Sequence, residues 1–290
     1  MKPLYTVDVG QNNTALGYRS LKNNISDNNT AVGHNALTAN TLGSSNVAIG
    51  TSALQNNTTA SNNIALSEKT LYVPNLMIMA VVPAYSTNNI AIGTDALRNN
   101  QPTSTADGIN NVAVGTFALT SNTTGSANSA FGNHSLTSNT TGFANSAFGR
   151  GSLQDNTTGG NNNAFGYASL RYNTAGGNNN AFGYASLFSN TTGNDNNAFG
   201  IGSLYSNTVG SENTAIGTSA LYSNKAGNQA TAVGARAMYY ANDNNTPFTN
   251  TNVAVGFEAL RGSNNPNDNT GLANTALGYQ TLQNKHPRLQ

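Results

Sequence analysis

Catalysis needs acids, bases, nucleophiles or ligands brought to one place, and this 290-residue chain carries few of them. Its three histidines, His34, His134 and His286, are distant from one another. No pair has zinc spacing, so no metal site within one chain is expected. The eleven Asp and Glu residues show no common register of the kind that paired-carboxylate cleavage of polysaccharide requires. Serine recurs one residue before a repeated leucine, but no His or carboxylate keeps step with it, so it reads as a small packing residue and not a nucleophile. The glycine-rich turns lack the lysine of a phosphate loop. Asn and Thr stand where calcium-binding repeats carry Asp. The expectation is a non-enzymatic chain with no catalytic residue, cofactor or metal. What its side chains offer is surface. One candidate is an aromatic column, Phe188, Tyr205, Tyr222 and Tyr239, spaced by 17 residues. It reads either as mutual stacking and subunit contact or as a flat strip for a host-surface glycan. The other is the apolar run Leu76, Met77, Ile78, Met79, Ala80, Val81 and Val82 between Pro74 and Pro83. That run is either an extra strand packed on the fold or between subunits, or a docking patch for a different protein. It is too short for a membrane span, which takes about 20 residues.

These residues take their places from a repeat. The anchor glycines are Gly17, Gly33, Gly50, Gly93, Gly115, Gly132, Gly149, Gly166, Gly183, Gly200, Gly217, Gly234, Gly256 and Gly278, with Ser67 standing in once. From Gly115 to Gly234 the step is always 17 residues. Alanine lies two positions before every anchor, a large apolar residue immediately before it, and leucine (once Met238) four positions after it. Seventeen residues are too few for two packed helices, and Asn, Thr and Gly punctuate each unit twice. The pattern predicts an all-β fold, a parallel β-solenoid of about fifteen short coils. Alternate residues of a strand face opposite sides, so the alanine and its bulky neighbour cannot both point inward. A strand apolar on both faces is covered on both. The solenoid interior covers one face and a second subunit the other, while the leucine forms the opposite interior wall. Asparagine lies four residues before the anchor in 14 of 15 units, Ala230 being the exception. Another follows the leucine by three, as at Asn122, Asn139, Asn156, Asn173 and Asn190. Both are expected at coil corners, because Asn tolerates left-handed backbone, and stacked amides bond one another along a ladder.

Composition narrows the partners. Only 8% of residues are charged, against about 25% in an ordinary soluble domain. The net charge of +1 and the scattered basic residues leave no footprint for nucleic acid. Strict apolar register argues against disorder. Residues 1–10 read as an N-terminal attachment segment with no secretory signal, 11–284 as the repeat domain with an apolar insertion at 68–89, and 285–290 as a tail. Five-residue insertions at 99–110, 241–252 and 262–273 read as protruding loops.

The units NNTAVGHNAL (Asn28 to Leu37), NNVAVGTFAL (Asn110 to Leu119) and NTAIGTSAL (Asn213 to Leu221) resemble the head repeats of trimeric autotransporter adhesins of the YadA type, and related repeats in phage and large-virus fibre proteins. The resemblance covers Gln11 to Asn284 and implies a left-handed parallel β-roll that trimerises through its inner strands. The signal peptide, neck, coiled-coil stalk and membrane barrel of those adhesins are not recognisable here. The expected role is therefore a structural fibre, spike or decoration protein on the exterior of a virus or phage particle, used for projection and host attachment. Its partners would be further copies of itself, other virion structural proteins and host glycan. The alternatives are a capsid cement or scaffold protein bridging other subunits, and a cellular surface adhesin head.

Overall fold

A computed structural model describes residues 10–71, 85–101, 104, 106–241, 245–265 and 269–283. The chain forms two compact units, Met1–Ala144 and Asn145–Gln290. In the first, seven three-residue strands follow in chain order: Thr14–Leu16, Thr30–Val32, Val47–Ile49, Ile64–Leu66, Ile90–Ile92, Val112–Val114 and Ser129–Phe131. In the second, eight follow: Ser146–Phe148, Asn163–Phe165, Asn180–Phe182, Asn197–Phe199, Thr214–Ile216, Thr231–Val233, Val253–Val255 and Thr275–Leu277. Within each unit neighbouring strands pair in parallel with alanine against alanine, as Ala31 with Ala48 and Ala164 with Ala181. No helix occurs among the described residues. Each unit is thus a parallel β-solenoid whose coil closes once per repeat.

Two short pairs flank the main ladders, Ala60–Ser61 with Tyr85–Ser86 and Gly227–Asn228 with Phe248–Thr249. Within the segment 68–89, the repeat continues to Leu71, buried like the other ladder leucines, and has resumed by Tyr85–Ser86. The candidate contact residues Leu76, Met77, Ile78, Met79, Val81 and Val82 lie outside the described residues.

The interior is narrow. Ala31, Ala48, Ala164 and Ala181 are fully buried, and so are Leu37, Leu170, Leu187 and Leu204. Burying such a leucine is worth about 1.5–3 kcal/mol. The same leucines sit in the left-handed region, with φ of 52° at Leu37, 50° at Leu170 and 49° at Leu187. For an L-residue that conformation costs about 1–2 kcal/mol, so burial offsets it. A β-branched side chain fares worse at positive φ. This explains why the column is leucine or methionine throughout and never valine or isoleucine.

The asparagines differ from expectation. Left-handed backbone falls on the residue before the conserved Asn, whatever its type: Ala127, Ala144, Asp195 and Glu212 all have φ between 53° and 60°. The Asn itself points inward and is buried, as at Asn162, Asn179 and Asn196. Its side chain is worth more to the fold inside, where it satisfies backbone that no water reaches. The Nδ2 of Asn179 donates to Asn162 Oδ1 at 3.1 Å and to the Gly193 carbonyl at 2.8 Å. The second column does likewise, Asn190 Nδ2 donating to Asn173 Oδ1 at 2.7 Å. Bonding along the ladder is as expected; the corner role is not.

Candidate functional site

The residue before each anchor emerges on the outer face of its strand. In Asn163–Phe165 and Asn180–Phe182 the middle alanine is buried while both flanking residues are partly exposed. Leu16 is 55% exposed, Ile49 43%, Phe199 39% and Leu277 74%. In the second unit Phe148, Phe165, Phe182 and Phe199 stack with centroids 4.7, 4.8 and 4.9 Å apart and planes within 5°. The strand spacing sets that separation. Beside this ring column runs an amide column, Asn163 donating to Asn180 and Asn180 to Asn197, each at 2.9 Å. In four coils of the first unit the corresponding positions are Val47, Ile64, Ile90 and Val112, so the outer face is aliphatic in both columns there, while Thr14, Thr30 and Ser129 hold that position in the other three. The ring column of the second unit is apolar and at least partly exposed along its length.

The other aromatic column is built differently. Phe188, Tyr205, Tyr222 and Tyr239 are half-buried and stack at 4.9, 4.9 and 5.0 Å with planes within 6°. Tyr172 closes one end edge-on at 4.9 Å and Tyr240 the other at 4.6 Å. Tyr205 and Tyr222 therefore have another ring against each face. Burial, then the neighbouring Tyr205 and Tyr239, push the Tyr222 hydroxyl above the usual tyrosine range.

A shorter column at the position after the anchor is more open. Tyr167 and Tyr184 stack at 5.2 Å, and the Arg150 guanidinium lies 6.0 Å from the Tyr167 centroid. His34 stacks on Tyr18 at 5.5 Å and His134 on Phe117 at 5.0 Å, so both histidines are ring partners. His286 lies outside the described residues. Among the described residues, no group of three or more His, Cys, Asp or Glu is placed to hold a metal. No helix among them is long and apolar enough to cross a membrane.

One charged cluster escaped the sequence reading. Glu258, only 5% exposed, accepts hydrogen bonds from Gln280 Nε2 at 3.0 Å and Gln283 Nε2 at 2.7 Å, and from Arg236 Nη1 at 3.3 Å. Arg261 Nε lies 3.8 Å away. The carboxylate ties three successive coils together. Arg236 and Gln280 each lie 22 residues from Glu258 because insertions lengthen these coils, which hides the cluster from a 17-residue register. The Gln280 hydrogen bond, followed by that of Arg236 and the charges of Arg261 and Arg236, holds the Glu258 carboxyl below the usual range, against the opposing effect of burial. A lowered folded value means the stabilisation is complete above the unfolded value, about 4.3, and is lost as pH falls through the folded one. Glu258→Gln is therefore expected to remove part of the acid-induced loss of stability below that pH. Denaturation of both proteins across the acid range, with identical pH slopes, would refute this.

Compared with known proteins, the chain matches no family model and no curated protein.

Proposed function

We propose that this chain is a non-enzymatic structural fibre, spike or decoration protein of a virus or phage particle. In this reading its coils form a left-handed β-roll that associates laterally as a homotrimer, and the assembly projects from the particle and attaches to the host. The observation that carries the reading is the outward apolar column, above all the Phe148 to Phe199 ring stack, which gains by being covered. The resemblance of the units to adhesin and viral fibre repeats supplies the particle and the trimer. For a host glycan, the Phe188 to Tyr239 column offers hydrogen bonds from tyrosine hydroxyls more than stacking on ring faces.

Sedimentation equilibrium tests the assembly. Three times the chain's 29.9 kDa is expected for the wild type, and a single chain mass for Phe165→Asp combined with Phe182→Asp. A monomeric wild type would remove the basis of the reading. Attachment is measured by binding to host cells or a glycan array. Tyr205→Ala combined with Tyr222→Ala is expected to abolish that binding while the assembly mass stays unchanged. Undiminished binding would move recognition away from this column.

A further inference from the structure

The half-buried column that follows the ladder leucines places three tyrosines in successive coils of the second unit, Tyr205, Tyr222 and Tyr239, each 17 residues from the next. Their rings stack with centroids 4.9 and 5.0 Å apart and planes within 6°. The parallel ladder fixes that separation, because equivalent residues of adjacent coils stand one strand spacing apart. Tyr222 therefore has a second phenol against each of its faces for as long as the coils stay stacked. Burial, then Tyr205 and Tyr239, raise the Tyr222 pKa, so the three phenols are close enough to act on one another. No side chain intervenes beneath them. An added Cβ at Gly202, in the coil of Tyr205, would stand 3.4 Å from Tyr222 Cε2. That atom is a ring carbon ortho to the hydroxyl, and it leans over the coil that carries Tyr205.

This is the arrangement in which phenols couple. A one-electron oxidant takes an electron from tyrosine, the hydroxyl proton goes to water, and the resulting phenoxyl radical shares its unpaired electron among the oxygen and the ortho and para carbons. Two such radicals side by side join through a carbon–carbon bond between ortho positions. Each ring then returns to a phenol as the hydrogen on its bonded carbon moves to its oxygen. In balance, two tyrosines give one linked pair, two protons and two electrons, and the electrons reduce two equivalents of the oxidant. Which rings couple depends on which are held together, since a positioned partner outcompetes one met by diffusion.

The neighbours of the column limit the reaction to these three rings. Phe188, 4.9 Å from Tyr205, has no hydroxyl and forms no such radical. Tyr240 meets Tyr239 at 4.6 Å but with planes 81° apart, edge against face. Tyr167 and Tyr184 stack at 5.2 Å on another column, where they are 43% and 57% exposed and open to rings of other copies.

We propose that Tyr205, Tyr222 and Tyr239 form an oxidative modification site, at which a one-electron oxidant joins tyrosines of adjacent coils within one chain, Tyr205 to Tyr222 or Tyr222 to Tyr239. The bond closes a loop of one repeat and ties covalently two coils otherwise held by hydrogen bonds and packing. In a solenoid each coil contacts only its neighbours, so the tie restrains opening at that place. It rests on ring geometry alone and holds whether or not the column also meets a glycan.

The test treats the dilute wild-type protein with ruthenium tris-bipyridyl, light and persulfate, separates the products under denaturing conditions and maps the linked residues by peptide mass spectrometry. A single-chain product lighter by two hydrogen atoms is expected, with its linkage at Tyr205 to Tyr222 or Tyr222 to Tyr239. After trypsin the second linkage joins residues 172–225 to residues 237–261. Tyr222→Phe keeps a ring in the stack, as Phe188 does, and removes the phenol common to both pairs, so both linkages are expected to be lost. Tyr205→Phe is expected to retain only the link of Tyr222 to Tyr239, and Tyr239→Phe only that of Tyr205 to Tyr222. Absence of either linkage in the wild type would overturn the proposal. So would an equal yield of single-chain product from Tyr222→Phe, a product linked mainly at Tyr167 and Tyr184, or coupling between chains in place of coupling within one.

Discussion

Gly183→Ala is expected to cost about 4 kcal/mol in chemical denaturation, among the largest effects of any single methyl group in the molecule. Gly183 has φ of 142°, a region that L side chains rarely adopt, and a Cβ there would stand 2.5 Å from the Gly200 carbonyl oxygen and 2.7 Å from its carbon. Both obstacles are backbone, held by the ladder of the next coil, so neither gives way cheaply. A strained φ contributes about 1–3 kcal/mol and the overpacking a similar amount. Because coils contact only their neighbours, the damage is expected to sever the stack locally and leave coils on either side folded. The natural exception supplies the converse. Ser67 occupies an anchor with φ of 119°, so Ser67→Gly is expected to stabilise by about 1 kcal/mol. If Gly183→Ala were neutral, the anchor would not be sterically required.

Asn179→Ala is expected to cost about 3 kcal/mol, measured the same way. The Asn179 side chain accepts from Asn196 N–H at 3.0 Å and Asn196 Nδ2 at 3.1 Å, and donates to Asn162 Oδ1 and the Gly193 carbonyl. Asn162 Oδ1 keeps the Asn179 backbone donor, and Gly193 keeps Asn190. The Asn196 N–H keeps nothing, and Asn196 is fully buried. An orphaned buried donor costs about 1–3 kcal/mol beyond the bonds lost with it. The chain has made this substitution once itself, at Ala230. There the next ladder amide, Asn252 N–H, turns to Asn250 Oδ1 at 3.4 Å, supplied by the insertion before it. Asn250→Ala is accordingly expected to cost as much as Asn179→Ala, although Asn250 stands outside the repeat register. A neutral Asn250→Ala would show that the break at Ala230 is tolerated without compensation.

Much of this molecule follows from spacing alone. A fixed 17-residue step with alanine, a bulky apolar residue, glycine and leucine in constant order is enough to require stacked parallel strands. Period-two alternation is enough to put Ala164 inward and Phe165 outward, because adjacent side chains of a strand cannot share a face. Bonding along the asparagine columns also follows, since equivalent residues of stacked coils lie one strand spacing apart.

What the tertiary structure decided is what depends on backbone torsion and on neighbours outside the register. No spacing indicates that Leu170 and Leu187 adopt positive φ, nor that Ala144 and Asp195, and not the asparagines after them, take the left-handed turn. Residue type predicts tolerance of such torsions, while burial of the leucine and satisfaction of interior amides decide who bears them. The Tyr205 and Tyr222 rings were readable as a column, but only their parallel stacking shows that their faces are closed. Glu258 meets Arg236 and Gln280 because each stands two residues after its anchor glycine, in coils that insertions lengthen to 22 residues. The sequence thus determined the ladder and its two faces, through a periodicity that geometry converts directly into stacking. Torsions and ring orientation were settled only once the coils closed on one another.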